Sequence, residues 1–171
     1  MPLTYQAISN VTVGAGGATF ITLSSIPQTF TDLIIKGSTR STGGGTFSNV
    51  VISFNGSSAD YTLIWLGYAN GSAVSFNRLA FGTNQFAYEP GTSATANTFG
   101  NFEAYLPNYT SSANKSLSID GTSSNNSANT YFGFSAGLWS NSASITSITL
   151  TDGAGSFAAN STFTLYGIKK D

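Results

Sequence analysis

This 171-residue chain contains no cysteine and no histidine, and charged residues make up only 8% of it. Without cysteine, the fold cannot depend on disulfides or on thiolate-bound metals. Without histidine, the chain lacks the commonest general base and the commonest metal ligand of proteins. These absences exclude Ser-His-Asp and Cys-His catalytic centres, so only carboxylates, serines and lysines remain as candidates for chemistry.

The net charge of the chain is small, and its charged residues are few. The net charge is −1, and the six basic residues are scattered, so there is no basic patch to neutralise phosphates and nucleic acid is not an expected partner. No apolar run approaches the roughly 18 residues of a membrane span. The start of the chain, MPLTYQAISNV, has no positive segment followed by an apolar core, and we predict no signal peptide.

Apolar and small polar residues fill the rest of the chain. Hydrophobic residues make up 40%, with 13 Phe and 8 Tyr, and Ser, Thr, Asn and Gly together make up about half. The apolar residues recur throughout, which argues against disorder. We expect one domain over residues 1–171, in which Met1–Gln6 forms either an extended N-terminal arm or a strand added within the domain.

Alternation of period two dominates, as in STFTLYGI at the end of the chain, and it is typical of half-buried strands. Asn-Gly and Asp-Gly pairs, at Asn55, Asn70, Asp120 and Asp152, predict tight turns. We predict longer loops over Glu89–Thr98 and Gly121–Asn129. The predicted strands are Thr4–Val13, Thr19–Leu23, Asp32–Thr39, Asn49–Asn55, Tyr61–Tyr68, Ala73–Phe81, Phe99–Leu106, Lys115–Asp120, Tyr131–Trp139, Ser144–Thr151 and Ser161–Ile168.

The predicted fold class is all-β. No window carries a sustained helical stripe of apolar residues, so we expect little or no helix. Many short strands at this spacing favour an antiparallel two-sheet sandwich, with a jelly roll as the first choice and an up-and-down barrel as the second.

Carboxylates are the first candidates for catalysis or metal binding. A glycosidase needs two of them roughly 5–9.5 Å apart, and no calcium-loop motif is present. Turn formation accounts for Asp120 and Asp152, which both precede glycine. We therefore predict no catalytic residue, no metal site and no cofactor. The complete set is Asp32, Asp60, Glu89, Glu103, Asp120, Asp152 and Asp171.

Serine and glycine motifs give no stronger signal. There is no G-x-S-x-G motif, and a Ser-Lys pair at Lys115-Ser116 reads more simply as part of a strand. The glycine-rich stretches Gly14–Gly17 and Gly43–Gly45 lack the Lys-Ser/Thr of a phosphate-binding loop and are predicted to be turns.

Aromatic side chains are the main candidates for binding. Exposed rings could stack on sugars, but Trp65 lies in the run LIWL and Trp139 ends the run FGFSAGLW. Both runs favour a core or a subunit interface. The aromatic candidates are Trp65, Tyr68, Trp139, Tyr105 and Tyr109.

Three stretches carry a resemblance to a known group of proteins. They are IPQTFTDL followed by KGSTRS from Ile26 to Ser41, YLPNYT from Tyr105 to Thr110, and SITSITL through STFTLYGIK near the C-terminus. In this order they resemble tailed-bacteriophage virion proteins, notably jelly-roll capsid decoration (cement) proteins and related tail-fibre domains. The resemblance spans about Tyr5 to Lys169, except roughly Tyr61–Asn97, which does not align.

The resemblance implies a non-enzymatic structural protein of the virion. It implies a homotrimer that binds the major capsid protein on the outer surface of the head and stabilises the shell. The alternative is a tail-fibre or receptor-binding domain that contacts a host glycan. The contact residues are unknown, because such surfaces differ between phages.

Overall fold

A computed structural model describes residues 4–69, 71–81, 84–125 and 130–169. Within these ranges there are twelve strands and no helix, and therefore no helix long and apolar enough to cross a membrane. The strands are β1 (Tyr5–Thr12), β2 (Phe20–Leu23), β3 (Asp32–Thr39), β4 (Phe47–Phe54), β5 (Tyr61–Ala69), β6 (Ser72–Phe81), β7 (Asn84–Pro90), β8 (Gly100–Leu106), β9 (Lys115–Ser123), β10 (Tyr131–Trp139), β11 (Ile148–Asp152) and β12 (Thr162–Ile168).

The strands form two antiparallel sheets. One has eight strands in the order β1-β12-β3-β8-β9-β10-β5-β6, and the other has four in the order β2-β11-β4-β7. The chain passes repeatedly between them, since β2, β4, β7 and β11 lie in the small sheet and the strands between them lie in the large one. The predicted all-β antiparallel sandwich of two sheets is confirmed.

Alternating burial explains why these residues form strands. In β4 and β11 every second residue is buried, and β12 follows the same pattern. Apart from Ser48, Asp152 and Gly167, the buried positions of these strands hold Val, Ile, Leu and Phe, which supply the apolar area that drives the two sheets together. An aromatic cluster fills one part of the core, where the Trp139 ring stacks on Tyr61 at 6.2 Å and lies 5.6 Å from Phe54.

Three predictions of local structure are wrong in whole or in part. The predicted loop from Glu89 begins inside β7, which pairs with β4 and forms an edge of the small sheet, where Pro90 is tolerated. The predicted turn at Asp120-Gly121 lies inside β9, which is paired on both sides, so the hydrogen-bonded ladder continues through it. For the same reason the predicted loop Gly121–Asn129 begins as strand; residues 126–129 lie outside the described ranges.

Other turn predictions hold. Asn55 and Gly56 both have positive φ angles, of 51° and 70°, as a tight turn requires. Gly17 has a φ of 70°, and its N–H donates to the carbonyl of Gly14 at 3.0 Å. Asn70 lies outside the described residues.

The start of the chain joins the large sheet. Tyr5 and Gln6 are in β1, opposite Ile168 and Gly167 of β12, so this part of the predicted arm is a strand added within the domain. Residues 1–3 are outside the described ranges.

Candidate functional site

The carboxylates are spread over both sheets. Glu103 pairs with Lys36 at 2.8 Å on the surface, and Asp120 is exposed on β9. Among the described residues two carboxylate pairs lie near one another. Glu103 and Asp120 are directly opposite each other on the neighbouring strands β8 and β9, and Glu89 and Asp152, both buried, interact electrostatically. Asp171 lies outside the described residues. Among the described residues, no group of three or more acidic, cysteine or histidine side chains is arranged to hold a metal ion.

Asp152 holds together one end of the sandwich. Its two carboxylate oxygens accept hydrogen bonds from the hydroxyls of Ser41 and Ser48, and one of them also accepts from the N–H of Ala154 at 2.9 Å. These donors come from two different loops and strand β4. The carboxylate therefore stabilises this end of the fold, and its ligand capacity is already used.

Glu89 is fully buried beside that network. Among the described residues neither of its oxygens makes a hydrogen bond of good geometry, and the hydroxyl oxygens of Thr39 and Ser123 are likewise buried without one. The pKa of Glu89 is raised to about 8, chiefly by burial and secondly by the charge of Asp152, while the nearby Thr39 hydroxyl offsets part of the shift. The side chain is therefore mostly a neutral acid at neutral pH.

The sheet register places the backbone of β7 over one end of the large sheet. Thr39 on β3 is opposite Gly100 on β8. Because Asn101 of β8 is opposite Thr122 of β9, the next residue of β9, Ser123, lies beside Gly100. A Cβ on Gly100 would lie 3.1 Å from the carbonyl of Tyr88, so β7 crosses directly above this row, where Glu89 is fully buried.

Arg40 fixes the loop that closes this end. Its guanidinium donates to the carbonyls of Thr95 and Thr98 at 2.9 Å each, and to the carbonyl of Ala94 at 3.4 Å. The predicted flexible rim loop is thus held by a charge-assisted network. A cation engaged in this way serves the fold rather than a phosphate or carboxylate ligand.

The opposite end of the sandwich has an open cleft of about 340 Å³. In it, Asp32 accepts a hydrogen bond from the hydroxyl of Tyr105 and another from the N–H of Asn108, both at 2.9 Å. Lys169 lies at the rim, with its ammonium 5.6 Å from the centre of the Phe30 ring. The cleft can offer hydrogen bonds to a hydroxyl-rich ligand. Among the described residues that line it Asp32 is the one carboxylate, whereas glycoside hydrolysis uses two.

The three stretches that carry the resemblance meet around this cleft. Tyr109 donates its hydroxyl to the carbonyl of Pro27, and Gln28 donates to the carbonyl of Ile145 at 3.0 Å. A Cβ on Gly167 would overlap the ring of Phe30, which therefore requires glycine there. The shared motifs thus include residues that pack and close this end of the sandwich.

Most of the aromatic candidates are not available to a ligand. Trp65, Trp139 and Tyr109 are buried, as the core interpretation of the tryptophans predicts. Trp65 packs over Gly133, where any side chain would collide with the indole. Tyr105 lines the cleft and Tyr68 is half-buried, so these two are the only members of the predicted set that can meet a partner.

The pair Lys115-Ser116 does not form a catalytic dyad. Lys115 points into the protein, where its ammonium donates to the carbonyl of Ser111 at 2.8 Å and to that of Ala113. Ser116 is the next residue of β9 and is exposed on the other face. Successive side chains of a strand point to opposite faces of the sheet, so these two side chains lie on different faces.

Sequence reasoning missed an apolar patch on the outer face of the large sheet. Ile64 and Leu66 of β5 are 61% and 60% exposed, and Phe132 and Phe134 of β10 are 47% and 63% exposed. The strands are neighbours, and Leu66 lies directly opposite Phe134. The signal was present: LIWL is apolar at four consecutive positions, so both faces of β5 carry apolar side chains, and FGF places two phenylalanines on one face of β10. We call these four residues the outer-face patch.

Comparisons with known proteins add no relationship. No family model matches the chain, and no curated protein matches it.

Proposed function

We propose that this chain is a non-enzymatic structural protein of a tailed-bacteriophage virion, and specifically a capsid decoration protein. In this role it binds the major capsid protein on the outside of the head, as a homo-oligomer, and stabilises the shell. The resemblance of the three stretches motivates the proposal. The observation that carries it furthest is a sandwich whose exposed chemistry is suited to contact, with an apolar patch and an almost uncharged polar surface.

Surface composition supports this role physically. Six basic and seven acidic residues in 171 give a surface dominated by Ser, Thr and Asn, which stays hydrated without strong repulsion between copies packed side by side. Many symmetric contacts gain avidity even when each is modest. We therefore expect binding to the shell to change only slightly with salt, and dissociation at modestly raised salt would contradict this reasoning.

The buried carboxylates are consistent with a structural role. Asp152 accepts three hydrogen bonds from protein groups, and Glu89 is enclosed. Among the described residues that line the open cleft, Asp32 has no second acid beside it. These arrangements stabilise the protein and provide no pair of groups positioned for acid-base catalysis.

The cleft favours one alternative, a tail-fibre or receptor-binding domain that contacts a host glycan. Asp32, Tyr105, Asn108 and Lys169 line it, and carboxylate, hydroxyl and ammonium groups are suitable partners for sugar hydroxyls. A glycan array with the purified protein tests this role. Binding lost in Asp32→Asn and retained in the surface control Glu103→Gln would favour the alternative.

Cryo-EM of intact virions, with this chain located in the density, tests the main proposal. Density on the outer shell, together with heat or osmotic fragility of particles that lack the protein, is the expected result. Density at the tail would overturn the capsid assignment and support the receptor role. Absence of the chain from purified particles would overturn both.

A further inference from the structure

We propose that the outer-face patch is a contact surface between copies of this chain. Ile64, Leu66, Phe132 and Phe134 lie on neighbouring strands in the large sheet. Tyr68 extends the patch, since its ring stacks on Phe132 with the centres 5.9 Å apart and the planes within 8°. The inference goes beyond the proposed function, because it concerns the isolated protein and holds for any place on a particle.

The size of the patch matches the apolar part of a stable interface. Side chains of this size present about 150–200 Å² when fully open, so four that are about half to two thirds exposed present about 400 Å² together. Patches of that size are at the upper range for monomers and are often functional. A stable interface needs about 800 Å² from each partner, of which a little over half is apolar.

The surroundings of the patch supply a polar rim. Ala136 lies opposite Ile64, and Phe134 lies opposite exposed Asp120 of β9. Ser116 and Ser118, both exposed, face outward from β9 on the same side. Such hydroxyls add area around an apolar centre and can hold bridging waters.

The lack of charge makes a second copy the favoured partner. Strands β5 (YTLIWLGYA) and β10 (YFGFSAGLW) contain no charged residue. Identical patches can meet across a twofold axis, or around a threefold axis, and in either arrangement a patch with charge would face its own sign. The patch itself brings no charge into such a contact, and exposed Asp120, opposite Phe134 on β9, lies at its rim. Two sheets that pack face to face through apolar side chains, about 10 Å apart, form the same arrangement as a sandwich core.

The pair Phe134→Ser and Phe20→Ser gives a matched test. Phe134 is 63% exposed within the patch, whereas Phe20 is 59% exposed on β2 of the other sheet. Both changes remove an exposed phenylalanine, so both should leave the fold intact and alter general hydrophobicity equally. Sedimentation velocity over two decades of protein concentration gives the mass of each variant.

We expect the purified wild-type protein to form dimers or trimers. Phe134→Ser should weaken the association by about 100-fold, because each contact loses an aromatic anchor from both sides. Phe20→Ser should leave it unchanged. A wild-type protein that stays monomeric, an oligomer insensitive to Phe134→Ser, or equal weakening by both variants would each overturn the inference.

Hydrogen exchange of the wild-type protein provides a measurement that needs no variant. Backbone amides of β5 and β10 should exchange more slowly at high than at low protein concentration. Protection confined instead to the edge strands β1 or β6 would mean strand-to-strand association and would overturn the patch. A patch that fails these tests leaves the virion proposal intact, since imaging of particles decides that proposal separately.

Discussion

Glu89→Gln should make this protein more stable at neutral and alkaline pH. The carboxyl group is enclosed, has no hydrogen-bond partner among the described residues, and lies near the charge of Asp152. The folded protein therefore holds Glu89 as a neutral acid, and ionisation in place is costly. Glutamine has nearly the same shape and cannot ionise.

The direction in which the unfolding free energy changes with pH follows from how many protons each state binds. The pKa of Glu89 is about 8 in the folded protein, against an ordinary value of 4.5. Between these values the folded state keeps a proton that the unfolded state releases, so the free energy of unfolding falls as pH rises through this range. The loss is about 3 kcal/mol by pH 7 and about 5 kcal/mol above pH 8.

Urea unfolding at a series of pH values measures the effect. Trp65 and Trp139 are buried, so their fluorescence reports loss of the core. The two proteins should have similar unfolding free energies near pH 4.5, and the variant should exceed the wild type by about 3 kcal/mol at pH 7. Other pH-dependent groups cancel in the difference between the two curves.

Glu103→Gln is the control. Glu103 is exposed and paired with Lys36, and exposed pairs contribute little, about 0–1 kcal/mol. Its difference from the wild type should stay small and flat from about pH 6 to pH 9. Parallel curves for the wild type and Glu89→Gln over the same range would refute the reasoning, because they would mean that Glu89 ionises with an ordinary pKa and is stabilised in its charged form.

Three further substitutions test the packing and the loop. Arg40→Ala removes the donors to three carbonyls of the 91–99 loop. Limited proteolysis should therefore cut this loop faster, and the free energy of unfolding should fall by about 1–3 kcal/mol. An unchanged cleavage pattern would contradict the role assigned to Arg40. Gly167→Ala forces a Cβ into the ring of Phe30 and should lower stability by about 1–3 kcal/mol in thermal unfolding. Gly44→Ala, where the space around the glycine is open, should lower it little. Equal losses would refute the contact between Gly167 and Phe30. Trp139→Ala should cost about 3–5 kcal/mol in urea unfolding, and a loss below 1 kcal/mol would show that the ring is not a core element.

The sequence predicted two strands with the bounds that the structure has, although burial does not alternate strictly along either of them. The bounds Asp32–Thr39 and Tyr131–Trp139 agree with β3 and β10, because Gly or polar residues at their ends interrupt the pattern. Strand β7 was missed, since its pairing with β4 links residues far apart along the chain. The prediction of a turn at Asp120-Gly121 was wrong because the pairing of β9 on both sides overrides a local turn preference.

The candidate sites depended more on tertiary structure. Sequence reasoning placed Asp152 at a turn, but its hydrogen bonds to Ser41 and Ser48 require three distant segments to meet. The raised pKa of Glu89 depends on enclosure by both sheets. Asp32 and Tyr105 share a cleft only because β3 and β8 are neighbours.

By itself, the sequence determined the fold class and the classes of chemistry that are absent. Period-two alternation without a helical stripe leaves sheets as the way to bury 40% apolar residues, and a chain without histidine or cysteine cannot build the commonest catalytic centres. Only the tertiary structure decided which apolar residues remain outside. LIWL carries apolar side chains on both faces of β5, and FGF carries two phenylalanines on one face of β10. The small sheet packs on the other face of these strands, so Leu66 and Phe134 are left exposed.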